Sequence, residues 1–203
     1  MIMSNRIPAE FVGKARLFRT SMHAATATVG SQMRAVTHYS FDLYRRRNAA
    51  PRAEQLVAIE QRWRSICDAG RLRLSVRRDR RSMFIRDTRI VATVSSSSEW
   101  GGASEKSISL VESSLALTKR HAETAATMLA AVSLHALGRW YQRALVTDDV
   151  TLTLDLALLV AAVSGSIAQA SDIEIRSDNG GCWRGSIVEK LDGGRLVNIR
   201  TFV

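Results

Sequence analysis

The spacing of apolar positions changes several times along this chain, and each change marks an element. After Pro51 the residues Leu56, Ile59, Trp63 and Ile66 recur every three or four positions, the stripe of a helix lying on a core. Pro51 suits the first turn and Gly70 the end. The period then drops to two. In "RLRLSVRRDRRSMFIRDTRIVATV", residues 71–94, Leu72, Leu74 and Val76 alternate with Arg71, Arg73 and Ser75, which predicts a half-buried strand. "RRDRR" is the expected turn, and a second strand begins at Phe84 and Ile85 and continues through 90–94. A third pattern closes the chain. "DIEIRS", "CWRGSIVEK" and "RLVNIRTFV" are strand-like runs separated by "DNGG" and "LDGG". Asn-Gly and Asp-Gly supply the positive φ of tight hairpin turns, so residues 172–203 predict a three-stranded antiparallel meander.

The segments between are less sharply patterned. Residues 1–30 mix Ala, Thr, Ser and Arg and are expected to be loosely ordered. A short helix is expected over 31–47, with Val36, Tyr39, Leu43 and Tyr44 along one side. "SSSSEWGGASEK", residues 95–106, reads as a linker. Beyond it Ile108, Val111, Leu115 and Leu129 suggest a long helical tract, although "SSLALTKR" fits a strand equally well. Ser133 is placed to cap a helix over 134–145, and Asp148 or Asp149 to cap the next, which runs to about 168. The expected class is α+β: N-terminal helices and a basic β-hairpin, then helices packed on the C-terminal meander. The division is 1–98 and 99–203, or one continuous domain.

Composition adds a partner class. The chain has 203 residues with 29 Lys and Arg against 19 Asp and Glu, a net charge of +10, and very few of the cations are lysine. Arginine's planar fork matches phosphate and stacks on rings, so an arginine surplus points to RNA, another nucleic acid or some other polyanion. Residues 61–90 hold ten Arg and three Asp. The alternation makes one face of that hairpin almost purely Arg, with Arg73, Arg77 and Arg78 as candidate phosphate contacts. The two cysteines, Cys67 and Cys182, are too few for a disulfide framework and read as buried thiols of a reducing compartment. No apolar leader is visible at the N-terminus, and the apolar run 152–168 reads as a core helix rather than a membrane span. The expected location is cytoplasmic, away from membranes, without a metal or cofactor.

One stretch concentrates chemistry. "VSLHALGRWYQRAL", residues 132–145, carries His135, Arg139, Trp140, Tyr141, Gln142 and Arg143. On a helix, Leu134, Leu137 and Tyr141 form a packing face. His135, Arg139 and Gln142 or Arg143 fall on a neighbouring face at four-residue spacing. A phosphodiester reaction calls for such groups: His135 to move a proton, Arg139 and Arg143 to grip phosphate, and Trp140, Tyr141 or Gln142 to meet a base. Arg184 and Arg200 on the following strands could reach the same phosphate.

The pattern S-x-H-A-x-x-R-x-x-x-R, carried by Ser133, His135, Ala136, Arg139 and Arg143, resembles the BrnT-type toxin domains of the barnase, colicin and RelE-like ribonuclease grouping. The likeness covers residues 130–203 and includes the order of helix and strands. It implies a metal-independent endoribonuclease, toxin-like, with an acidic antitoxin-like partner. The family's Arg-Gly-Ile is here Arg143-Ala144-Leu145. Two other readings compete. One is a non-enzymatic nucleic-acid-binding protein that uses the Arg-rich segment 71–90. The other is a basic interaction protein that meets an acidic partner.

Overall fold

A computed structural model describes residues 7–47, 51–94, 106–166, 172–189 and 195–203. Two helices come first, α1 (Ala9–Arg47) and α2 (Ala53–Arg64), then strands β1 (Arg71–Arg78), β2 (Met83–Val94), β3 (Lys106–Leu117) and β4 (Ala122–Ser133). Helices α3 (Leu134–Arg143) and α4 (Asp149–Ser166) follow, and β5 (Asp172–Arg176), β6 (Cys182–Glu189) and β7 (Arg195–Phe202) end the chain. The strands form a seven-stranded sheet in the order β1-β2-β3-β4-β7-β6-β5. Pairs β1/β2, β5/β6 and β6/β7 are antiparallel, and β4/β7 is parallel. The fold is therefore α+β with a mixed sheet.

The chain forms two compact units, each discontinuous in sequence. One comprises Met1–His23, Ile90–Leu110 and Met128–Val203, and the other Ala24–Arg89 and Val111–Thr127. A division at residue 98 does not coincide with them, and the expected linker over 95–105 lies outside the described residues.

In the second unit, Leu56, Ile59, Trp63 and Ile66 of the α2 stripe meet Val29 and Val36 of α1, Met83 and Ile85 of β2, and Leu115 and Leu117 of β3. Leu74 and Val76 of β1 pack against this cluster, which is why the alternation of β1 has one apolar face. Burying one such side chain is worth roughly 1.5–3 kcal/mol. Within the core lies a charge network. Asp87 is fully buried and accepts from the Trp63 indole N–H at 3.0 Å and from two guanidinium nitrogens of Arg89 at 3.1 and 3.0 Å. Arg71 Nε stands 3.5 Å from the same carboxylate. Arg89 also donates to the Cys67 carbonyl at 2.6 Å and Arg71 to the Ile66 carbonyl at 3.1 Å. The guanidiniums thus satisfy carbonyls just beyond α2, which the helix itself leaves open.

In the first unit, β4 passes directly into α3. Ser133 ends the strand, its hydroxyl accepts from the Ala136 N–H at 3.0 Å, and it donates to the Arg200 carbonyl at 3.2 Å. The expected cap is present, and it also ties α3 to β7. Asp148 caps α4 by accepting from the Thr151 N–H at 2.9 Å, and that amide holds its carboxyl below the usual range. The "DNGG" turn joins β5 to β6, with Gly180 and Gly181 at φ of 81° and 88°. Asn179 of this turn also holds the loop between α3 and α4. Its carbonyl accepts from the Leu145 N–H at 3.0 Å and its side-chain oxygen from the Val146 N–H at 3.0 Å.

Several expectations need correction. Residues 9–47 form one helix, whereas the sequence pattern predicts a helix over 31–47 alone; Ala15, Phe18, Val29 and Val36 are its buried apolar residues among those described. Residues 106–133 are a strand pair and not a long helical tract, and of the two readings of "SSLALTKR" the strand holds as far as Leu117. Ser107 and Ser109 are buried along with Ile108 and Leu110, so both strand faces are covered and the period-two signal is blurred. The meander is present over β5–β7, but β7 also pairs with β4 through Ala130–Val132 against Val197–Ile199. Its second turn, 190–194, lies outside the described residues. Cys67 is exposed; only Cys182 is a buried thiol.

Candidate nucleic-acid interface

Helix α3 was the first candidate, and its surroundings divide the predicted set. The six residues from Ala136 to Tyr141 are all buried. The start of α1 lies against the helix: a Cβ added to Gly138 would meet Ile7 Cδ1 at 3.3 Å, and Lys14 Nζ lies 6.0 Å from the Tyr141 ring centre. Only the helix ends reach solvent. His135 is exposed, but Arg139 is 4% exposed and donates to Gln142 Oε1 at 3.0 Å. Four-residue spacing therefore does not give these residues a common open cleft. Arg143 donates to the Phe202 carbonyl at 3.3 Å, an anchor of α3 to β7.

The rings expected to stack on bases are inside the protein. Trp140 is 0% exposed and its indole N–H donates to Asp155 Oδ2 at 2.6 Å; the Ser177 hydroxyl donates to that oxygen at 2.7 Å. Tyr141 is 2% exposed and donates to Asp149 Oδ1 at 2.6 Å. Burial first, then the bond to Asp149, push its phenol far above the ordinary value. Tyr141 stays protonated and serves as a fixed donor. Trp140 and Tyr141 are therefore too enclosed to stack on bases and Arg139 is not an open phosphate clamp, while Gln142 is half-buried with its Oε1 held by Arg139.

The C-terminal arginines lie on the neighbouring strands β6 and β7. Arg184 Nε bonds Glu174 Oε2 at 2.8 Å across β5 and β6. The Cys182 thiol and this guanidinium hold Glu174 below the usual carboxylate range, while burial and Glu174 push Cys182 up. Arg200 is exposed where the β6/β7 register shifts between Arg184 and Gly185.

The β1–β2 hairpin is arranged differently. Arg73, Ser75 and Arg77 face outward from β1, and the register sets Ser75 opposite Arg86 and Arg77 opposite Phe84. Arg86 is exposed and Phe84 is 46% exposed. Period two holds these side chains away from the core occupied by Leu74, Val76 and Ile85. Among the described residues, Arg73, Arg77 and Arg86 form no ion pair, and the outward hairpin positions beside them, Ser75 and Phe84, carry no carboxylate. Not every arginine of the hairpin is open. Arg71 and Arg89 belong to the Asp87 network and Arg78 pairs with Glu60 at 3.0 Å; on the preceding helix α2, Arg62 lies 3.9 Å over the Tyr39 ring. Of the three arginines expected to bind, Arg73 and Arg77 are displayed and Arg78 is engaged.

At the turn end of the hairpin is a cleft of about 390 Å³. Asp79, Arg81, Ser82 and Phe84 form one side, and Thr118, Lys119, Arg120 and His121 of the β3–β4 turn form the other. The second turn is braced by Thr118, whose Oγ1 accepts from the N–H groups of Arg120 and His121 at 3.2 and 3.1 Å. Sequence reading missed Phe84, Arg86 and this turn. The alternation of Met83, Ile85 and Asp87 against Phe84 and Arg86 was a usable signal for the first two. The helical reading of 106–129 hid the turn.

Among the described residues no group of His, Cys, Asp and Glu could hold a metal ion, and no helix is long and apolar enough to cross a membrane. No family model, curated protein or solved structure matches the chain.

Proposed function

We propose that this chain is a nucleic-acid-binding protein that holds phosphates on the outward face of its β1–β2 hairpin, through Arg73, Arg77 and Arg86. One observation carries this reading: three exposed arginines share one strand face with no carboxylate among them. The α3 set gives weaker support to cleavage, because its histidine is outside and its first arginine and both rings are inside. A two-stranded ribbon presenting guanidiniums suits a sugar–phosphate backbone, where affinity comes from counterion release.

The test is affinity for a labelled RNA as a function of salt. Substituting Arg73→Ser, Arg77→Ser and Arg86→Ser together should flatten the log–log slope by roughly 0.7–0.9 for each phosphate that is no longer neutralised. An unchanged slope would refute the reading. The same samples show whether the RNA stays intact. Cleavage that persists in EDTA and disappears in His135→Ala would favour the toxin-like ribonuclease instead.

A further inference from the structure

We infer that the cleft between the two hairpin turns is a base-stacking subsite, which makes the ligand single-stranded nucleic acid. An unpaired base lies on Phe84, and its flanking phosphates meet Arg81, Lys119 and Arg120. The inference rests on the phosphate-binding reading of the Arg73, Arg77 and Arg86 face and names the ligand class of that site.

Three features of the cleft support it. First, Phe84 is 46% exposed in the middle of a basic surface, directly opposite Arg77 and two residues from Arg86. An exposed ring beside guanidiniums is the arrangement that takes up an unstacked base, because every base has a π-face while its phosphates need cations. Second, the cleft of about 390 Å³ is wide open to solvent, so an unpaired base can enter it from the surface. Third, the two turns that carry the cations have braced backbones. Thr118 Oγ1 holds the backbone of Arg120 and His121, and Asp79 N–H donates to the Ser82 carbonyl at 2.9 Å, closing the other turn. The one carboxylate in the lining, Asp79, accepts from the Arg80 N–H at 2.7 Å and is outnumbered by Arg81, Lys119 and Arg120. A duplex keeps its bases stacked on one another and offers no free face to Phe84, so discrimination against duplex follows from the ring.

The experiment compares binding of labelled single-stranded RNA and DNA oligonucleotides with a blunt duplex of the same sequence, at one salt concentration. The wild type should prefer the single strands. Phe84→Leu should weaken single-strand binding about 5- to 150-fold, the equivalent of the ~1–3 kcal/mol that a stacked base is worth. It should leave duplex binding and the salt slope unchanged. Phe84→Trp should restore the preference and report binding by quenching of its own emission. Lys119→Glu with Arg120→Glu should weaken binding and flatten the slope. If Phe84→Leu binds single strands like the wild type, or loses single strand and duplex equally, the stacking subsite is wrong. The Arg73, Arg77 and Arg86 triple variant separates the two failures. A flattened slope there with no effect at Phe84 overturns the subsite alone, whereas no oligonucleotide binding by the wild type overturns both.

Discussion

Two arginine-bearing segments, 134–143 and 71–89, carry similar side chains and put them to opposite use. On α3 the helical period spreads successive residues around the whole circumference, and the helix is covered by the start of α1. Contacts to β7 and α4 close round it as well. Arg139, Trp140 and Tyr141 therefore become internal donors. On β1 and β2 the period of two sends alternate residues to opposite faces. One face gives up Arg71 and Arg89 to Asp87, and the other keeps Arg73, Arg77 and Arg86 in solvent. Local charge density is thus a poor guide to a binding face. What decides is whether the element's period leaves any arginine on an uncovered side.

The strongest challenge to this contrast is aimed at the inward face of the hairpin. Asp87→Asn keeps the shape and an acceptor for Trp63 but leaves Arg89 without its counter-charge, while Arg71 keeps its ion pair with Asp68. Removing one partner of a buried pair typically destabilises by about 3–5 kcal/mol. At roughly 2–4 °C per kcal/mol for a chain of this size, the melting temperature should fall by on the order of 10 °C. A loss below about 1 kcal/mol would mean that the carbonyls of Ile66 and Cys67 satisfy the guanidiniums unaided, and the inward arginines would then differ little from the outward ones.

The same question applies to α3. Trp140→Phe preserves most of the apolar volume but removes the indole N–H from Asp155, which keeps Ser177 as a donor. The expected loss is about 1–3 kcal/mol by urea denaturation, the usual result of leaving a buried acceptor short of a partner. If Trp140→Phe is neutral in stability and instead weakens RNA binding, the ring has a role in recognition and the inward assignment of α3 fails. A smaller effect is expected at the helix start. Ser133→Ala loses the cap on Ala136 and the bond to the Arg200 carbonyl, and should cost about 1 kcal/mol. A neutral Ser133→Ala would show that β4 and β7 hold α3 in place without the cap.

What could be read from the sequence was what is local. The α2 stripe, the alternation of β1, the "DNGG" turn and the caps at Ser133 and Asp148 each depend on residues within a few positions of one another, and each is present. Pairings between distant segments could not be read. The parallel pairing of β4 with β7 joins residues 130–132 to 197–199, and nothing near either strand announces the other. The strand pair over 106–133 was hidden because its buried stretch covers both faces and mixes Ser107 and Ser109 with Ile108 and Leu110. That misreading had a direct consequence for the site, since a helix there leaves Lys119, Arg120 and His121 scattered instead of gathered at a turn. The inward turn of the α3 set was hidden for a related reason. The covering segment, Ile7 to Lys14, lies more than a hundred residues upstream in a stretch whose composition resembles a loose terminus.

The smallest stability effect sharpens the contrast most. Arg73→Ser, Arg77→Ser and Arg86→Ser each alter an exposed side chain that forms no ion pair among the described residues. Substitutions of this kind are usually within about ±0.5 kcal/mol. Serine already occupies position 75 on the same face, so the strand tolerates it. Unfolding curves of each variant should therefore overlay the wild type, while the inward neighbour Arg89→Ser, which strips Asp87 of its main partner, should unfold well before it. The pairing of results matters more than either alone. If the outward variants are as stable as the wild type, any change in their affinity or salt slope belongs to the interface and not to a damaged fold. If one of them loses more than about 1 kcal/mol, that arginine supports the sheet, and the division of the hairpin into a structural face and a binding face is wrong at that position.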